Sequence, residues 1–229
     1  ASVLCTLSLA WAEGAGDAAK LKTTLTPLGA ERAGNSDGSI PAWSGGYSTP
    51  LSTNAGAGDR RSDPFSADKP VVTITADNMD KYADKLNDGT KALLKKYKTF
   101  QMNVYPTRRT ALAPQWYYDN TALNVTRSKL VSGGAGLDPA GAGGLPFPFP
   151  QNGDELRWNA NLHWRGESSI ARQKIWTVTP GGQQVLASDT ENNEQFAWNA
   201  GPNSPEKFDG AVTTFYMQSV NGPAFRAGE

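Results

Sequence analysis

The stretch Leu156–Arg165, LRWNANLHWR, decides how the fold is read. Leu156, Trp158, Ala160, Leu162 and Trp164 alternate strictly with Arg157, Asn159, Asn161, His163 and Arg165. Successive side chains of an extended chain point to opposite faces. The alternation therefore predicts a strand with one apolar face and one polar face. Such a strand belongs to an antiparallel sheet that is buried on one side and wet on the other. Working outward, PQWYYD (114–119), NVTRSKLV (124–131), ARQKIWTVT (171–179), QQVLAS (183–188), EQFAWN (194–199) and TTFYMQSV (213–220) have strand composition. Turn residues at Pro180-Gly181-Gly182 and near Gly201-Pro202 separate the later ones. Residues 103–229 read as a meander of strands.

Just before the deciding stretch stands GGLPFPFPQNG, Gly143–Gly153, behind a glycine-rich run. Leu145, Phe147 and Phe149 each precede a proline, which pushes them into extended conformations. They share one face and Pro146, Pro148 and Pro150 share the other. The prolines donate no hydrogen bond, so the strip pairs along one edge at most. Two readings stand side by side. In one, the strip is a rigid loop packing two rings into the core. In the other it is a hydrophobic lip on a cavity.

Upstream, Met79, Tyr82, Ala83 and Leu86 follow helical spacing, with Thr75 or Asp77 as cap. Asn87-Asp88-Gly89 stops that helix, and Leu93, Leu94 and Tyr97 mark a second one, giving a helical hairpin over 77–98. Residues 13–75 lack periodicity and are rich in Gly, Ser, Thr, Asp and Pro. They read as disordered, or as a long irregular strap anchored by residues such as Ile40, Trp43, Tyr47 and Phe65. PVVTIT (70–75) reads as a short strand or an extended lead-in.

The first twelve residues, ASVLCTLSLAWA, carry no charge and end in Ala10-Trp11-Ala12. They resemble the apolar core and cleavage site of a signal peptide, cut at its start, with Glu13 opening the mature chain. A short apolar core helix is the alternative. The export reading makes the protein periplasmic or secreted. It also leaves the mature chain without cysteine, since Cys5 is the only one. No stretch is long and apolar enough to span a membrane.

The 229 residues hold 22 Lys plus Arg and 22 Asp plus Glu. That balance argues against general binding to a nucleic-acid backbone, which needs a positive excess. Enzyme signals are weak. Gly34–Gly38, GNSDG, spells a nucleophile motif without the strand and helix it needs. The lone His163 has no partner for metal or acyl-transfer chemistry. The run 133–144 lacks the Lys-Ser/Thr of a phosphate loop. We expect no enzyme, no cofactor and no metal site. Adjacent Arg108 and Arg109 are candidates for clamping an anion, against the plainer reading of surface charges. Seven Trp, seven Tyr and eight Phe are either core or the lining of an apolar pocket.

Four stretches in order, LTPLGAERAGNSDGSIPAWSGG (25–46), DPFSADKPVVTITADNMDKYADKLNDG (63–89), FQMNVYPTRR (100–109) and GGLPFPFPQNG, resemble the N-terminal half of the domain-of-unknown-function family DUF1329. That family is similar to periplasmic outer-membrane lipoprotein-sorting proteins of the LolA/LolB type. The resemblance implies a truncated α+β chain, mainly β, in which a curved antiparallel sheet forms an unclosed barrel around a hydrophobic hollow. It implies a carrier of a lipid or another hydrophobic molecule, working with an inner-membrane exporter and an outer-membrane protein. No catalytic residues come with it. Leu145, Phe147, Phe149, Trp158, Leu162 and Trp164 are then the candidates for contacting cargo. A non-catalytic envelope scaffold is the competing expectation.

Overall fold

The computed structural model describes residues 17–49, 62–138, 141–202, 208, 215–226 and 228. The expected signal-peptide remnant lies outside these residues. The chain divides into two compact units. One is Gly34–Ala111; the other combines the described residues up to Ala33 with those from Leu112 on.

In the smaller unit, β1 (Val72–Ile74) pairs antiparallel with β2 (Met102–Val104), Thr73 facing Asn103. Between them lie a 3-10 helix, Met79–Lys85, and helix α1, Asp88–Lys96. Two helical segments thus stand within the span 77–98 where a helical hairpin was expected, the first a 3-10 helix kinked at Tyr82. Asn78 does not cap the first helix with its side chain. Its amide instead accepts from Thr75 N and donates to Thr73 O, tying down the exit of β1. Asn87 starts α1 rather than stopping its predecessor, because its Oδ1 accepts from Thr90 N at 2.8 Å. Ile74, Met79, Leu86 and Leu94 close a small core, with Phe100 and Met102 packed against it. The irregular 34–49 segment is strapped to 109–111. Tyr47 N donates to Thr110 O, Trp43 Nε1 to Ala111 O, and Arg109 to Pro41 O.

The larger unit corrects the reading of the deciding stretch. Residues 153–162 form helix α3 (Gly153–Leu162), and residues 115–127 form helix α2 (Gln115–Arg127) where two strands were expected. Period two and a helix share the i, i+4 pair. Trp158 and Leu162 are buried together, while Leu156 is more than half exposed. The start signal is a reciprocal cap. Asn152 Oδ1 accepts from Glu155 N at 3.0 Å, and Glu155 Oε2 accepts from Gln151 N. In α2 the buried positions are Tyr117, Thr121 and Asn124, spaced i, i+4, i+7. Two of the three are polar, so hydrophobicity alone hides the helical period.

Between the helices, β3 (Leu130–Val131) and β4 (Gly136–Leu137) make a small antiparallel pair. Downstream the expected meander holds. β5 (Ser168–Val178), β6 (Gln184–Gln195) and β7 (Phe215–Gly222) form an antiparallel sheet in that order, β5 turning into β6 through Thr179–Gln183. Residues 194–199 finish β6 and then enter a 3-10 turn at Ala197–Asn199. The architecture is α+β with antiparallel sheets, and no sheet closes into a barrel among the described residues. No helix among them is long and apolar enough to cross a membrane.

Gly153 opens α3, and a Cβ built there meets nothing within 4 Å. Gly153→Ala should therefore stabilise the protein by about 0.5–1 kcal/mol, through better helix propensity and a less flexible unfolded chain. A raised urea midpoint would show it.

Candidate functional site

The strip Gly143–Phe149 lies among α2, α3 and the 3-10 turn at Ala197–Asn199. Proline leaves it unable to join a ladder, so side chains take the place of a neighbouring strand. Thr121 Oγ1 accepts from Leu145 N at 2.9 Å, and Asn124 donates to Leu145 O at 3.1 Å. Asn159 of α3 holds both backbone groups of Phe147, accepting from its N at 2.9 Å and donating to its O at 2.7 Å. Asn120 and Trp198 Nε1 donate to Gly143 O and Gly144 O. Thr121 Oγ1 also donates back to Tyr117 O, so α2 is locked in place by the same group that holds the strip. Buried polar groups need such partners. This explains why α2 buries Thr and Asn.

The candidate contact residues fall into three places. Phe147, Trp158 and Leu162 meet in one core with Leu137, Trp198 and Phe208. Phe147 is only 9% exposed, and Trp158 Nε1 donates to Gly134 O. The strip is thus core at its centre, with Phe147 packed. Trp164 packs edge-on against Trp116 and tilted against Tyr117, with centroids 5.5 and 5.4 Å away. Leu145 and Phe149 are half-buried. Phe147, Pro148 and Phe149 border a shallow hollow of about 210 Å³ with Asn124, Ser128 and Gln151.

The arginine pair does not stand free to clamp an anion. Arg108 makes a two-pronged contact with Asp68 and lies 4.8 Å over the Phe65 ring, which in turn meets Tyr47 edge-on. Arg109 donates to Pro41 O. His163 is exposed, with Nδ1 against Ala160 O of its own helix. Among the described residues no cluster of His, Cys, Asp or Glu is arranged to hold a metal ion.

Tyr117 is fully buried and its hydroxyl donates to Leu162 O at 3.1 Å. Burial pushes its phenol well above the ordinary range, against a smaller opposing effect of the Trp164 backbone. The folded value thus exceeds the unfolded value of about 10. The stabilising contribution is complete below pH ~10 and is lost as pH rises above it, because only the unfolded chain ionises there. Tyr117→Phe should flatten the fall in stability above pH ~10, read from urea midpoints across the alkaline range.

Sequence reasoning did not single out three exposed apolar side chains of the large sheet, Ile170, Phe215 and Met217. Pairing places Ile170 opposite Asn193 and Asn193 opposite Met217, with Gln195 opposite Phe215, all on one face of the β5–β7 sheet. Ile170 is 70% exposed, and Phe215 and Met217 are about half exposed. Thr190, Asn192 and Val220 are buried on the opposite face. No period-two signal marks the three exposed side chains: on their face β5 carries Ser168, Arg172 and Lys174 beside Ile170, and β6 carries Asp189, Glu191, Asn193 and Gln195.

Among the described residues the fold is that of an α+β chain whose largest sheet is three-stranded and antiparallel. The chain belongs to the protein family of unknown function DUF1329, whose profile matches residues 73–229. It is 41% identical over 235 aligned residues to the uncharacterized protein PA3922 of Pseudomonas aeruginosa strain PAO1, an alignment covering 99% of this chain and 49% of that one. The chain therefore spans about half the length of this curated relative. No solved structure matches it.

Proposed function

We propose that the protein is a periplasmic carrier for a lipid or other hydrophobic cargo, acting in envelope transport alongside an exporter and an outer-membrane partner. The observation that supports it is the exposure of three apolar side chains, Ile170, Phe215 and Met217, on one face of the β5–β7 sheet, flanking the polar Asn193 and Gln195 of β6. An acyl chain laid on it gains about 25 cal/mol per Å² of apolar area removed from water, less the cost of ordering. The binding needs no cofactor and no covalent chemistry. The uncharged first twelve residues support export to the periplasm. In this reading the sheet is part of a curved, unclosed barrel of the LolA/LolB type, and the buried aromatics Trp158 and Phe147 stiffen its support.

Native mass spectrometry and lipid extraction of the full-length protein test this. A co-purifying acyl species is expected, lost on Ile170→Glu with Met217→Glu while the fold persists. A second reading, a non-catalytic scaffold, is favoured by the outer edges of β5 and β7, which pair with no further strand among the described residues and suit strand addition by a partner. A persistently empty protein with a tight protein partner would establish the scaffold instead.

A further inference from the structure

We propose that the end of the β5–β6 hairpin docks the protein onto the interfacial layer of a lipid bilayer. β7 pairs with β6 only from Asp189 to Gln195. Residues 175–188 therefore stand as a two-stranded ribbon beyond the third strand, among the described residues. Those fourteen residues carry no charge. Trp176 and Val178 lie on one face of the ribbon; Ile175 and Val185 lie on the other. They are 51%, 63%, 54% and 46% exposed.

Apolar side chains on both faces tell the occupants apart. A docked protein surface covers one face of a ribbon. A strand added at an edge covers neither. A fluid apolar layer surrounds both. The ribbon also changes character sharply at its base. Lys174 pairs with Asp189 at 3.4 Å and Arg172 with Glu191 at 2.8 Å, so two neutralised rungs close off the charged part of the sheet. Between Ile175 and Trp176 the register shifts, leaving Ala187 without a partner. Such a bulge bends and twists a ribbon. The unpaired N–H and C=O groups along both ribbon edges set the depth. They exclude the hydrocarbon centre, where nothing replaces water. The headgroup boundary remains, and Trp is the side chain that settles there.

The inference goes beyond the carrier reading and does not depend on it. The test uses the full-length protein and large vesicles of pure phosphatidylcholine, since a charge-free tip calls for no anionic lipid. An environment-sensitive dye is attached at Val178→Cys after every other cysteine of the full-length protein has been replaced by Ser. On adding vesicles, the dye emission should shift to the blue. In flotation without dye, Trp176→Ser with Val178→Ser should lower vesicle partition at least about tenfold, and salt should have little effect. An acyl species bound in the native mass spectrum should persist in this variant, so failure of docking and failure of the carrier reading are read separately. An unshifted dye overturns the proposal. So does a dye already blue without vesicles, which would place the tip inside the protein or against a second copy. Binding only to anionic vesicles, indifferent to the double substitution, overturns it too.

Discussion

Phe147→Ser should lower the unfolding free energy by about 3–5 kcal/mol, whereas Phe149→Ser, two residues away, should cost under about 1 kcal/mol. The rings alternate with prolines in identical local sequence, so local preference cannot separate them. Tertiary position does. Phe147 shares a core with Leu137, Trp158, Leu162 and Trp198. Its removal leaves a cavity walled by two helices whose spacing is set by hydrogen bonds to the strip, so the site collapses poorly. The new hydroxyl is also stranded among apolar neighbours. Phe149 is half-buried beside an open hollow, and its carbonyl accepts from the Gln151 side chain whatever ring it carries. Urea unfolding followed by tryptophan fluorescence would measure both. Equal small costs would restore the strip as a mobile lip, and equal large costs would bury Phe149 as well.

The contrast shows where the sequence was legible. Turn chemistry and β-branched composition placed β5, the start of β6 and the link between them, because a two-stranded hairpin is specified locally; the polar residues 189–193, which join two expected strands into one, gave no strand signal. The two faces expected of the proline strip were not borne out: the chain bends at residues 146, 148 and 149, and Pro146 is buried as fully as Phe147. The two helices against the strip were not legible either. α2 is amphipathic in hydrogen bonding rather than in hydrophobicity: Thr121 and Asn124 are buried because the strip, stripped of donors by proline, needs side-chain partners. α3 hides in a strict alternation that shares Trp158 and Leu162 with a helical face. Only the Asn152–Glu155 cap distinguished it. The same local view offered Arg108 as an anion clamp, although its partner Asp68 lies forty residues earlier. A candidate contact surface drawn from aromatic residues was bound to find the core first, because large rings bury the most area. Ile170, Phe215 and Met217 share an exposed sheet face on which only strand register brings them together.

Gly144→Ala should cost about 3 kcal/mol or more, near the upper end for overpacking, although it adds a single methyl group. A Cβ at Gly144 would stand 2.8 Å from Asn120 C and 2.9 Å from Thr121 Cα, and closer still to Thr121 N. All three are backbone atoms in the middle of α2. No side chain can rotate away, so either the helix or the strip must move. Moving the strip breaks what holds it: Trp198 Nε1 to Gly144 O at 2.7 Å, and Thr121 and Asn124 on the two backbone groups of Leu145. Each buried group left unpaired adds its own penalty of about 1–3 kcal/mol. The close approach of strip and helix thus depends on a missing Cβ, much as Gly153 does not, where the same substitution meets open space. A second measurement separates steric displacement from general weakening. Trp198→Phe removes the indole donor to the same carbonyl while keeping an aromatic ring near Phe208. If Gly144→Ala acts by displacing the strip, that hydrogen bond is already lost, and the double variant should cost less than the sum of the two single ones. Strict additivity would mean that the strip stays in place and α2 yields instead, and then the helical signal in circular dichroism should fall with Gly144→Ala alone.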